Sequence, residues 1–315
     1  MRRLNILSWH THGNYLYYLT HAPPEFYVLS KPGRPAGYAG ASGDLPWGPN
    51  VHDLPVERAR EQRIDCILFQ DDPQYFTDQF EILSASQRTL PRIYLEHDPP
   101  REHATDTAHP VDDPNVLVVH VTPFNALMWA PTRAPTRVIE HGVVIRDPPP
   151  YTGELARGLV VVNHLARRGR PLGCDVFARA RADVPLDLIG MGSEELDGLG
   201  EIRHAQLPRF AARYRFFFNP IRYTSLGLAV IEAMLIGLPI VGLATTEMAT
   251  AIVNGESGYV DTSVDRLIER MRELLSDPDL ARRLGEGGHR QAIQRFGIDR
   301  FAADWNAAFA QVTSL

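Results

Sequence analysis

Short apolar runs alternate along the chain with longer mixed segments, and that rhythm predicts the fold class. Runs at 4–9, 26–29, 65–70, 92–96, 116–121 and 136–140 have the length of strands, and amphipathic or loop segments separate them. In the second half, 158–163 and 186–192 repeat the pattern, the latter closing in a Gly turn, and a short helix is expected at 208–214. Strands alternating with helical patterns predict parallel, doubly wound sheets. The greasiest stretch is 215–260. Its apolar run 216–218 ends in Asn219-Pro220, as a buried strand leaving its sheet would. Residues 226–236 are then apolar on nearly every face, which predicts a helix buried on both sides. Gly237 and Pro239 stop it, and 239–243 reads as the next strand. This is one β-α-β unit. Residues 264–295 read as two charged amphipathic helices, and 299–311 as a closing one.

Inside the oily helix sits one carboxylate, Glu232. A buried ionised carboxylate is costly unless it is paired or hydrogen-bonded. Gly227 marks the helix start, where free N–H groups and the helix dipole favour an anion such as a phosphate. Five residues of helix span about 7–8 Å. One ligand can therefore rest a diphosphate on the helix start and a ribose diol on Glu232. The alternative is a glutamate that salt-bridges an arginine.

Composition narrows the class. The chain has 315 residues, enough for two domains, with 44% hydrophobic and 22% charged residues. A net charge of −6 argues against a nucleic-acid binder. Lys31 is the only lysine, so an anion clamp must use arginine or backbone. Cys66 and Cys174 lie far apart without metal-like spacing, and a reduced, cytoplasmic chain is the expectation. The start, with two arginines and an apolar run broken by His10, makes a poor signal peptide. The stretch 226–244 tempts a hydropathy window, but Glu232 and the Gly/Pro break read it as buried helix plus strand. Membrane association is peripheral at most.

The stretch 215–260 resembles the retaining glycosyltransferases of family four (glycosyl transferases group 1). The residues that carry the likeness are Thr224-Ser225-Leu226-Gly227-Leu228, Glu232-Ala233-Met234, Gly237-Leu238-Pro239 and Asn254-Gly255-Glu256-Ser257-Gly258. The resemblance implies a GT-B fold of two Rossmann-like domains across a cleft. Its division would be 1–149 on the acceptor side, 150–297 on the donor side, and a helix in 298–315 crossing back to the first domain. It also implies that Glu232 holds the nucleotide ribose and that backbone N–H groups around Ser225, Leu226 and Gly227 contact diphosphate and sugar. Thr224 stands where the family has a glutamate facing the donor sugar.

By the same resemblance, His97 after the 92–96 strand faces the donor sugar and is the catalytic-site candidate of the first half. Gly13 matches a phosphate-facing turn, with an ordinary strand-to-helix turn as the alternative. His164 fills the family's arginine slot, and Arg167, Arg168 or Arg170 could grip the diphosphate, unless they form a solvated basic turn. His141 and Gly142 lie in the segment that ends the first domain, and 146–150 reads as a stiff linker. His204 and Arg203 are candidates beside the base. His10 and His12 stand close in sequence but lack further ligands nearby, and no metal is expected. Tyr38 and Trp47, in the Gly/Pro-rich loop 32–50, either stack on an acceptor or pack on a neighbouring helix. The polar loop 101–114, with His103, Asp106, His109, Asp112 and Asp113, either touches an acceptor or is a solvated connection.

The implied activity is retaining, metal-independent transfer of a sugar from a nucleotide-sugar donor to a saccharide, lipid-linked or small-molecule acceptor. No cofactor or nucleic-acid partner is expected. The alternatives are a non-catalytic nucleotide-sugar-binding partner and a nucleotide-sugar 2-epimerase or hydrolase on the same fold.

Overall fold

A computed structural model of the chain describes residues 2–43 and 45–314. Its contacts divide the chain into two units, Met1–Gly142 with Ile298–Leu315, and Val143–Gly297.

The first unit is built on seven parallel strands. These are β1 (Asn5–Ser8), β2 (Glu25–Ser30), β3 (Val51–Pro55), β4 (Cys66–Phe69), β5 (Arg92–Glu96), β6 (Val116–His120) and β7 (Thr136–Val138). Their order is β3-β2-β1-β4-β5-β6-β7, and every pairing is parallel. Strands β4 and β6 are buried along their whole length, as parallel strands covered on both faces must be. The sequence pattern misses β3. It is an edge strand that holds His52 and Asp53 and ends at Pro55, which an edge alone tolerates.

The helix Ile298–Thr313 belongs to this unit. Trp305 and Phe309 are fully buried; Trp305 Nε1 donates to the Tyr15 hydroxyl at 3.3 Å, and Phe309 meets Phe26 edge-on. Arg300 donates to the carbonyls of Glu140 and His141 at 2.9 and 2.6 Å. Gly142 is required here because any β-carbon would overlap the Phe301 side chain. The chain passes to the second unit at Val143. Its N–H donates to the Phe296 carbonyl (3.0 Å), which ties it to the end of the helix Pro278–Phe296.

The second unit has five parallel strands. They are β8 (Leu155–Val161), β9 (Leu186–Ile189), β10 (Tyr214–Asn219), β11 (Ile240–Leu243) and β12 (Gly258–Asp261), in the order β12-β11-β10-β8-β9. Strand β10 is buried at all six residues. The helix Leu228–Ile236 buries seven of its nine residues, Val230 through Ile236. Each fully buried aliphatic side chain contributes about 1.5–3 kcal/mol. That oily burial explains why the helix is apolar all round. The amphipathic helices Val264–Ser276 and Pro278–Phe296 show the opposite pattern, with one buried stripe each.

Candidate functional site

In open parallel sheets, ligands bind beyond the carboxyl ends of the strands, where the strand order reverses. In the second unit that reversal lies between β8 and β10: β9 is added outside β8, and β11 and β12 outside β10. The residues that follow those two strands are 162–173 and 220–227.

These two loops are laced together. The backbone N–H groups of Arg222 and Tyr223 both donate to the Pro171 carbonyl, at 2.9 and 3.1 Å. Gly173, at φ +78°, packs so tightly on Pro220 that a β-carbon would overlap its carbonyl oxygen. Arg222 grips Asp175 with two hydrogen bonds of 2.5 and 2.8 Å, and Arg170 binds the same carboxylate at 2.8 Å. The Arg222 guanidinium holds the Asp175 carboxyl down to about 2. Arg170 is therefore engaged by a neighbouring acid. Arg167 is exposed and has no ion pair among the described residues. His164 opens a short helical turn in the left-handed conformation, with its N–H on the Met191 carbonyl (2.6 Å) and its ring against Gly192. The turn after β9 thus abuts the turn after β8.

Gly227 precedes the helix Leu228–Ile236 in extended conformation. No side chain caps this helix, and no acid stands in its first turn. The space where a Gly227 β-carbon would stand is open. Thr224 and Ser225 are partly exposed on the approach to it, and Leu226 is buried beneath. Glu232, 6% exposed, lies one and a half turns into the helix. The Nε2 of His204 stands 3.8 Å from its Oε1, within ion-pair range though longer than a hydrogen bond. A separate cavity of about 510 Å³, lined by Asn254, Tyr259 and Arg270 among others, includes none of these residues. The switch-point loops, where the strand order reverses, are the candidate site.

The first unit has its own cluster. The order reverses at β1 and β4, so the segments after β1, β4 and β5 share one edge. They bring His12, Gln70, Asp71 and His97 to a cavity of about 440 Å³, also lined by Tyr94 and Trp129. His97 Nε2 stands 3.2 Å from Gln70 Oε1, and its ring packs on His12 (centroids 4.1 Å apart) and edge-on to Tyr15 (4.9 Å). Burial, followed by the charges of His12 and His141, pushes the His97 pKa well below the ordinary 6.5. This ring is neutral at neutral pH. Burial, with Asp72 adding to it, raises the Asp71 carboxyl.

Gly13 is the first residue of the helix Gly13–Leu19, after His12 at φ 50°. A β-carbon on Gly13 would stand 3.0 Å from His10 Nε2, so this glycine lets His10 approach closely. His10 and His12 diverge: Nδ1 of His10 meets the Gly40 carbonyl (2.5 Å), whereas His12 faces His97. Tyr38 is buried, with its hydroxyl on Asp78 (2.5 Å), and the Trp47 indole donates to the Ser42 carbonyl (3.1 Å). Trp47, partly exposed, also meets the rings of His10 and Tyr17 edge-on. In the loop 101–114, His109 is buried on Glu96 (3.1 Å), Asp113 pairs with Arg92 and Asp112 with Arg133, while His103 and Asp106 are exposed. Sequence reasoning missed Gln70, Tyr15 and Arg222. The one available signal for Gln70 was an amide standing directly after an all-apolar strand.

Among the described residues, no group of three His, Cys, Asp or Glu is placed to hold a metal, and no helix is long and apolar enough to cross a membrane.

Comparison with known proteins agrees with the resemblance read from 215–260. Residues 192–291 match the family model described as glycosyl transferases group 1. A curated relative, sucrose synthase 1 of Hordeum vulgare, is 28% identical over 105 residues, 31% of this chain. The match spans only 13% of that relative's length. Among solved structures, sucrose-phosphate synthase from Thermosynechococcus elongatus superposes with a TM-score of 0.72 at 15% identity, covering 100% of both chains. Anabaena Alr3699/HepE in complex with UDP and glucose reaches 0.66 at 14% identity, again covering 100% of both. A mutant of S. aureus TarM, in a complex that includes UDP, reaches 0.61 at 13% identity over 78% of this chain and 55% of its own. The fold is GT-B, with two Rossmann-like parallel sheets.

Proposed function

We propose that this chain transfers a glycosyl group from a nucleotide-diphosphate sugar to a saccharide, lipid-linked or small-molecule acceptor, with retention of configuration and without a required metal. Glu232 carries the reading. The single carboxylate of an otherwise apolar helix, buried behind an uncapped start with open space at Gly227, suits a ribose diol and a diphosphate held by one ligand. The ribose hydroxyls donate to Glu232. Backbone N–H groups around Ser225–Gly227 and the Arg167 guanidinium take up charge on the departing diphosphate, where preorganised donors count most. His97 hydrogen-bonds a sugar hydroxyl. No side chain is assigned as nucleophile or general base; the donor phosphate receives the acceptor proton on the same face. The protein works in the cytoplasm, at most peripherally on a membrane.

That HepE was solved with UDP and glucose favours uridine as the first nucleotide to try. A thermal-shift panel of UDP-, GDP-, dTDP- and ADP-sugars tests the reading, since a ligand that binds the native state raises its stability. We expect one of them to raise the Tm and Glu232→Ala to remove the effect. Turnover that survives EDTA checks metal independence. Thr224 in the sugar-facing position, together with Arg170 held by Asp175, favours a second reading, a nucleotide-sugar binder without catalysis. Glu232-dependent binding with no turnover across a broad acceptor screen would establish it. Free sugar or an epimer appearing without acceptor would establish hydrolysis or epimerisation.

A further inference from the structure

His97 has two ring nitrogens, and which of them carries the proton decides what it offers a substrate. The surrounding atoms settle this. The Gln70 side-chain amide nitrogen donates to the Ser8 hydroxyl (3.0 Å) and to the Trp9 carbonyl (3.1 Å). The Trp9 carbonyl only accepts, so the amide cannot be turned round, and Oε1 of Gln70 must face His97. Oε1 in turn only accepts, so the His97 nitrogen 3.2 Å from it, Nε2, carries the hydrogen. The ring is neutral, and its second nitrogen, Nδ1, is left with a lone pair and no hydrogen bond to a described residue.

Gln70 is itself held. It is 5% exposed; its N–H donates to Gln74 Oε1 (2.8 Å), and Gln74 Nε2 donates to the Thr11 hydroxyl (2.7 Å). The Ser8 hydroxyl donates in turn to the Leu68 carbonyl (3.0 Å). A chain of buried amides and hydroxyls thus joins the ends of β1 and β4 and terminates on the imidazole that follows β5. Such a chain is worth forming only if every member is satisfied, and here each of these bonds has a donor and an acceptor.

We propose that Gln70 is a positioning residue that locks His97 as the neutral Nε2–H tautomer, so that Nδ1 accepts a hydrogen bond from a substrate hydroxyl in the 440 Å³ cavity. The role toward substrate rests on the proposed function; the tautomer does not. Accepting from a hydroxyl raises the electron density on its oxygen. Donating to it, as a charged or Nδ1–H ring would, does the opposite.

Nitrogen-15 NMR of protein labelled at histidine tests the tautomer directly, with His97→Ala to assign the signal. We expect wild-type His97 to show a protonated Nε2 and an unprotonated Nδ1 at neutral pH and to keep them well below pH 6.5. A charged ring, or a proton on Nδ1, would overturn the proposal without touching the glycosyl-transfer reading. Gln70→Met, of similar length but without an acceptor, should leave both tautomers populated. An unchanged pure Nε2–H signal in the folded variant would also overturn it. Where turnover is measurable, Gln70→Met should lower kcat about tenfold with unchanged nucleotide Kd, and should cost nothing further in a His97→Ala background. An equal loss in both backgrounds would show Gln70 acting by another route.

Discussion

Both units are doubly wound, but they hold their polar groups by opposite means. In the second, the loops after β8 and β10 are fixed by charge at the surface, with Arg222 and Arg170 on Asp175 and paired N–H groups on the Pro171 carbonyl. In the first, the groups after β1, β4 and β5 are fixed by neutral, buried hydrogen bonds that run from Ser8 through Gln70 to His97. The charged arrangement leaves an uncapped helix start and, among the described residues, the Arg167 guanidinium outside any ion pair, which suits an anionic ligand. The neutral arrangement holds an imidazole in one protonation state, which suits a hydroxyl. One fold thereby holds its polar strand-end groups in two different ways.

The largest expected effect that would sharpen this contrast is acid lability that sets in first in the first unit. Burial, with His109 adding to it, depresses His120 from 6.5 to about 4, and His97 is depressed as well. The unfolded chain binds those protons below about pH 6.5 while the folded chain does not. Stability is therefore full above about pH 6.5 and falls as the pH drops from there to about 4. His120 alone accounts for about 3 kcal/mol of the loss, at about 1.4 kcal/mol per pH unit. All four tryptophans, Trp9, Trp47, Trp129 and Trp305, lie in the first unit. Tryptophan fluorescence should accordingly report an acid transition before far-UV circular dichroism completes its own. Coincident transitions would break the comparison.

Next in size is His97→Ala. It should cut turnover about a hundredfold, the order of one well-placed catalytic group, and leave nucleotide affinity within about twofold in a calorimetric titration. Arg167→Ala should weaken nucleotide-diphosphate binding about tenfold, the size of one charge-assisted hydrogen bond. Arg170→Ala should change it less than about twofold, because Arg170 is already spent on Asp175. Equal losses in the two arginine variants would show that the Asp175 pairing opens on binding.

The strand–helix–strand core was legible because burial on both faces leaves the helix apolar at every buried position but one. Glu232 stood out for that cause. The β3 strand was illegible because its charges and Pro55 suit an edge and mimic a loop. The pairing of Arg170 with Asp175 was equally hidden, since it depends on the turn geometry that Gly173 permits against Pro220. Gln70 and Tyr15 could not be read, since their partners come from strand ends and a terminal helix that only the folded sheet brings together. The short acid-free start at Gly227 was visible as a glycine. The open space in front of it was not.

The most direct measurement is isothermal titration of the best-stabilising nucleotide sugar into wild type and Glu232→Ala. We expect the wild type to bind and the variant to lose about ten- to a hundredfold in affinity, as one buried charged hydrogen-bond acceptor supplies, while its far-UV spectrum stays unchanged. Undiminished binding by the folded variant would mean that this carboxylate holds no ribose, and the placement of the donor at the Leu228–Ile236 helix would be wrong.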